Sequence, residues 1–145
     1  MAQVSTYLNF ARETEAAFEF YKSVFGTDYL GPIARIGEAP MPEGQPPLSE
    51  ADKNLVMNVA LPITGGHVLM GTDAPESMGF TVTQGNNVYI MLQPDSRTEA
   101  DRLFAALSAR GTVEMEMQDM FWGDYYGSFT DKFGVQWMIN TSAKS

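Results

Sequence analysis

The sequence predicts an α+β protein in which one strand–helix–three-strand unit is written twice. Three observations lead there. Alternation of period two gives way to helical spacing near the N-terminus, and the same switch recurs near residue 87. Each helix carries Thr-Glu-Ala (Thr14-Glu15-Ala16 and Thr98-Glu99-Ala100), follows a tyrosine (Tyr7 and Tyr89) and ends at a glycine (Gly26 and Gly111). The two copies are separated by about half of the 145 residues, and a duplicated unit must pack on its copy. The expected modules run over about 1–80 and about 85–145, inside one domain, since single domains span about 100–200 residues.

The elements follow in order. Val4, Thr6, Leu8 and Phe10 share one face of a first strand, and Ser5, Tyr7 and Asn9 the other. Glu13 to Phe25 places Ala17, Phe20, Tyr21 and Val24 at helical spacing, with Gly26 as the stop. Tyr29 to Ile36 reads as a second strand. Gly37 to Lys53 contains Pro40, Pro42, Pro46 and Pro47 and few large apolar residues, so it reads as a long mobile loop. Asn54 to Pro62 and His67 to Thr72 form a hairpin around Gly65-Gly66, and Asp73 to Gly85 is a connector. In the second copy, Asn87 to Leu92 is a strand with Val88, Ile90 and Leu92 on its apolar face. Ser96 caps a helix that runs to Arg110 and stops at Gly111. Strands follow at about Thr112–Met117, Tyr125–Asp131 and Val135–Asn140.

Composition narrows the function. Hydrophobic residues make up 44% and charged residues 19% of the chain, a globular balance. There is no cysteine, which excludes disulfides, thiolate metal sites and a cysteine nucleophile. Nine basic against 18 acidic residues give a net charge of −9, which repels phosphate backbones, so no nucleic-acid partner is expected. Gly, Pro and Asn interrupt the longest uncharged stretches, so no membrane partner is expected either. Residues 1–5 lack the basic and apolar regions of a signal peptide, and the expected compartment is the cytoplasm.

Several runs carry a family resemblance. Phe20-Tyr21-Lys22-Ser23-Val24-Phe25-Gly26 closes the first helix, and Asp131-Lys132-Phe133-Gly134-Val135-Gln136-Trp137 forms the last hairpin. Together with Tyr7-Leu8-Asn9-Phe10, Leu69-Met70-Gly71-Thr72-Asp73 and Trp122-Gly123-Asp124, in that order, the chain resembles the vicinal oxygen chelate superfamily. This is the glyoxalase, bleomycin-resistance and dioxygenase superfamily, and the resemblance is to its PhnB-like branch. It covers nearly the whole chain. It implies two βαβββ modules with curved mixed sheets enclosing a cleft, and a homodimer. It does not fix an activity, because the superfamily hosts isomerases, dioxygenases, transferases and drug binders. A methyltransferase label attached to some PhnB-like proteins finds no support, since no Gly-rich nucleotide loop follows a strand.

Enzymes of the superfamily hold a metal on His or Glu from the first and last strand of each module. Carried over residue by residue, the resemblance puts those positions at Ser5, Met70, Asn87 and Met138. None suits a hard divalent ion, because thioethers prefer soft ions such as Cu(I). Many relatives carry a histidine where this chain has Asn58. The single histidine, His67, adjoins the Gly65-Gly66 turn, and alternation places it off the Val68, Met70, Thr72 face, which favours a structural or exposed role. No metal and no cofactor is therefore assigned.

The faces turned away from the helices are the expected ligand-binding surface. Ser5, Tyr7 and Asn9 come from the first strand, and Asn87, Tyr89 and Met91 from its copy. Met70 lies on the mid-chain hairpin, and Gln136, Met138 and Asn140 on the last strand. Trp122 and Tyr125 belong to the densest aromatic run, Phe121 to Tyr126, which reads as a rim, a plug or an interface. Thioethers and aromatic faces give adaptable apolar contact, while amides and phenols fix orientation. The equally simple reading is that the methionines fill a core. Glu114, Glu116 and Asp119 read as a solvated strand edge that a cationic ligand can also use. No catalytic constellation appears. The sequence thus favours a metal-free binder of a small molecule of cationic or aromatic character. Its rivals are a metal-dependent lyase, isomerase or dioxygenase with a non-standard site, and a dimeric interaction protein without a ligand.

Overall fold

A computed structural model describes residues 1–145. The chain divides into two compact units, Met1–Val82 and Thr83–Ser145. The first contains β1 (Thr6–Phe10), α1 (Thr14–Phe25), β2 (Ala34–Arg35), α2 (Glu50–Lys53), β3 (Val56–Pro62) and β4 (Val68–Asp73). The second contains β5 (Ile90–Leu92), α3 (Arg97–Ser108), β6 (Thr112–Asp119), β7 (Tyr125–Thr130) and β8 (Gln136–Thr141). Each unit is a βαβββ module with a four-stranded mixed sheet, ordered β1-β4-β3-β2 in one and β5-β8-β7-β6 in the other. In both, the first and last strands pair in parallel and the others antiparallel.

One face of each sheet is closed by a helix. In the first unit Ala17, Phe18, Tyr21 and Val24 of α1 are buried with Val59, Leu61 and Leu69 of the sheet. Phe18, rather than the expected Phe20, is the deep helix residue; Gly71 leaves it room, since a Cβ there would come within 2.6 Å of the Phe18 ring. In the second unit Leu103, Phe104 and Leu107 of α3 are buried with Phe129, Trp137 and Ile139. The Phe104 and Phe129 rings meet edge to face at 5.1 Å.

Two buried aspartates organise these cores. The helix start at Glu13 has no side-chain cap of its own; instead Asp73, at the end of β4, accepts from the Thr14 N–H at 3.0 Å and the Val56 N–H at 2.9 Å. A carboxylate at a helix N-terminus satisfies an orphan donor and opposes the helix dipole. Asp131 accepts from the Phe133 and Val135 N–H groups at 2.8 and 3.1 Å and from Trp137 Nε1 at 2.9 Å. That is the physical content of the Asp-Lys-Phe-Gly-Val-Gln-Trp run: its aspartate folds the turn and anchors its tryptophan.

The structure corrects several expected elements. Tyr29–Ile36 shrinks to the two-residue β2, because Pro32 has no N–H to pair and Leu30 is exposed. The strand expected from Asn87 starts at Ile90, with Val88 exposed and its carbonyl taken by the Gln136 side chain at 2.8 Å. Val4 is likewise exposed ahead of β1. The expected loop Gly37–Lys53 contains α2, whose N-cap Ser49 accepts from the Asp52 N–H at 3.1 Å. Gly111 is not the stop of α3: Arg110 takes the left-handed conformation (φ 63°), and Gly111 lies where a side chain would strike the Thr130 carbonyl. Gly26 does end α1 in the left-handed conformation.

Candidate functional site

The face of each sheet opposite its helix carries part of the expected ligand-binding set. In the first unit Tyr7 pairs with Met70, which pairs in turn with Ala60, and Asn9 pairs with Thr72. The Tyr7 hydroxyl accepts from Asn58 Nδ2 at 3.2 Å, a reach from β1 over β4 to β3. Asn58 thus braces a phenol. His67 lies off this face, hydrogen-bonded through Nε2 to Thr6 Oγ1 at 2.8 Å, and ties the hairpin turn to the start of β1. Ser5 is exposed ahead of the strand.

The second unit is the richer one. One register row holds Met91, Met138, Ser128 and Met115 on four adjacent strands. Residues paired across a sheet share a face, so the row floors the open side. Met91 is 48% and Met115 37% exposed, while Ser128 between them is buried. The next row holds Asn140, Tyr126 and Gln118. Across the floor the Tyr89 hydroxyl hydrogen-bonds both carboxylate oxygens of Glu114, at 2.9 and 3.0 Å. Tyr89 leads into one edge strand and Glu114 lies on the other. In a flat sheet these edges stand about 14 Å apart, three strand spacings, and side chains rise roughly perpendicular to the sheet. The bond therefore requires a rolled sheet, and β6 carries the two register shifts, around residues 113–115 and 115–118, that roll it. The hydrogen bond to Glu114, with burial and the nearby Tyr126 adding to it, raises the pKa of the Tyr89 phenol, which stays protonated and donating at neutral pH.

Other expected residues fall around this trough. Asn140 Nδ2 donates to Asp124 Oδ2 at 3.1 Å, and both line a recess of about 430 Å³ with Gln93, Asp95 and Thr141. Gln136 is buried and spent on the Val88 carbonyl. Trp122, 53% exposed, stands edge to face with the 97% exposed Phe121 at 4.9 Å in the β6–β7 turn. Tyr125 belongs to the helix side: its hydroxyl donates to Asp101 of α3 at 2.6 Å, and Arg97 stacks on its ring at 4.5 Å. Asn87 is exposed ahead of β5.

The residue types at the superfamily's metal positions do not suit a hard divalent ion. Met70 and Met138 offer thioethers, and Ser5 and Asn87 offer a hydroxyl and an amide from outside the strands. No group of three or more His, Asp or Glu side chains comes together elsewhere. Sequence reading placed Glu114 with Glu116 and Asp119 on a solvated strand edge open to a cationic ligand, and it did not single out Ser128. Simple alternation puts Glu114 with Glu116 on a wet face and Met115 with Met117 beneath it. The first bulge breaks that alternation, so Glu114 and Met115 both serve the trough, while Met117 packs by Gly127 and Phe104 on the helix side.

Two βαβββ modules, each with one sheet face left open by its helix, define a fold class, and the comparisons assign it. The family model described as "Glyoxalase/Bleomycin resistance protein/Dioxygenase superfamily" matches residues 4–139, and the chain belongs to that superfamily. It is 31% identical over 146 residues to protein YjdN of Escherichia coli K12, covering 94% of this chain and 93% of that one. Among solved structures it is similar to protein PA1353 of Pseudomonas aeruginosa, with TM-score 0.81, 31% identity and coverage of 97% and 98% of the two chains. A Bacillus cereus PhnB protein, titled a putative 3-demethylubiquinone-9 3-methyltransferase, shares the fold at TM-score 0.72 and 23% identity, covering 97% of this chain and 99% of that one. No helix is long and apolar enough to cross a membrane.

Proposed function

We propose that the protein binds a small organic molecule on its open sheet faces, as the non-catalytic branch of the superfamily does, without a resident divalent metal. One observation carries this reading: the trough of the second unit presents thioethers, phenols and amides to solvent, with the Glu114 carboxylate and no divalent donor set. Such a lining suits a flat apolar body with a few polar handles. It offers no nucleophile–base pair, so binding rather than turnover is its chemistry. The expected homodimer is part of this reading, and sedimentation checks it.

The test has two arms. The protein is dialysed against Zn, Ni, Mn and Fe salts, desalted and analysed for metals; less than stoichiometric retention is expected. A thermal-shift screen of aromatic compounds is then expected to yield a stabilising ligand. At a hundredfold excess over Kd, binding adds about 2.7 kcal/mol, a shift of several degrees. Retention of one ion per subunit overturns the reading in favour of a metal enzyme with a different site.

A further inference from the structure

Charge on the open face of the second unit is one-sided. β5, β6, β7 and β8 contain no Lys, Arg or His. Of the unit's five cations, Arg97 and Arg102 sit on α3, paired with Asp119 and Glu99; Arg110 is exposed just past α3, Lys132 lies over the Phe133 ring at 5.6 Å in the β7–β8 turn, and Lys144 is bonded to the Gly123 carbonyl. Glu114 therefore has no cationic partner among the strands around it, and its one recorded side-chain bond is from the Tyr89 phenol. A carboxylate offers about four acceptor sites, and one phenol proton leaves most of them open. The methionine row shares its open face, and Tyr126 stands in the adjoining row.

We propose that Glu114, positioned by Tyr89, is the counter-ion for a ligand carrying an alkylated ammonium group, which seats against the Met91–Met138–Met115 floor and the Tyr126 ring. This rests on the binding reading above and names its ligand class. An aromatic face with a single anion is the arrangement that recognises quaternary ammonium, whose charge is spread and weakly hydrated. Thioethers add dispersion contact with its methyl groups. A compact hydrated metal ion fits less well, because one carboxylate and soft sulfurs do not replace its water shell. The phenol–carboxylate bond fixes the anion in advance, so little side-chain ordering remains when the ligand arrives.

Titration calorimetry with benzyltrimethylammonium, and with benzyl alcohol as a neutral probe of the same ring, tests this. The unsubstituted protein is expected to bind the cation in preference to the alcohol, with affinity falling as salt rises. Glu114→Gln is expected to weaken cation binding at least tenfold and leave alcohol binding unchanged. Tyr89→Phe is expected to weaken it by a smaller factor. Glu76→Gln, an exposed carboxylate of the other unit, controls for net charge and should leave it unchanged. Unfolding curves of the variants confirm that each is folded. Equal binding of cation and alcohol, or a Glu114→Gln affinity within twofold of the parent, overturns the inference and leaves the binding reading standing. Binding of neither probe, with an empty screen, removes both.

Discussion

Asp131 shows how one side chain holds a motif together. It is buried and takes three donors, two from its own turn and one from Trp137, six positions further along the chain. Removing it strands three N–H groups, and each lost bond to a charged acceptor is worth about 1.5–3 kcal/mol. Asp131→Ala is thus expected to cost at least about 3 kcal/mol in urea unfolding. Trp137→Phe, which loses one bond and some volume, is expected to cost less. Gly71→Ala is expected to destabilise by about 1–3 kcal/mol through overpacking against Phe18. The Asp131 run and Gly71 were visible as motifs in the sequence. The donors each aspartate gathers were not, because Asp73 meets Thr14 across 59 positions of chain.

At the level of elements, the helix α2 and the face pattern within β6 were not legible in the sequence. The stretch expected to be a long mobile loop is pinned at its C-terminal end: Asp52 of α2 accepts from the Ser77 hydroxyl at 2.7 Å and pairs with Arg12 at 2.9 Å. The Ser77 hydrogen bond, and then Arg12, hold the Asp52 carboxyl below the usual carboxylate range. A group depressed in the folded state stabilises above its unfolded pKa, and that contribution disappears as pH falls through the folded value. Stability is therefore expected to drop below about pH 4. Glu15, held down by its bonds to Arg35, works in the same direction. Asp52→Asn is expected to lower stability at pH 7 and to flatten that acid limb, read from urea midpoints at pH 7, 4 and 3. In β6 the difficulty was periodicity itself. One inserted residue reverses which side chains share a face, so a strand with two bulges cannot be read by alternation.

For the molecule as a whole, charge and topology make separate statements. A net charge of −9, with no basic residue on the strands of the second unit, predicts no retention on heparin and no DNA complex at 50 mM salt. The duplicated order of elements and the turn at Gly65-Gly66 were determined by the sequence alone, because each depends on spacing over a few residues. Tertiary structure decided which side chains meet on the open faces. Tyr89 and Glu114 lie 25 positions apart on opposite sheet edges, and Tyr7 and Asn58 lie 51 apart with a strand between them. Both contacts depend on how far a sheet rolls. That roll accumulates from twist and bulges across several strands, and no local pattern in the chain encodes it.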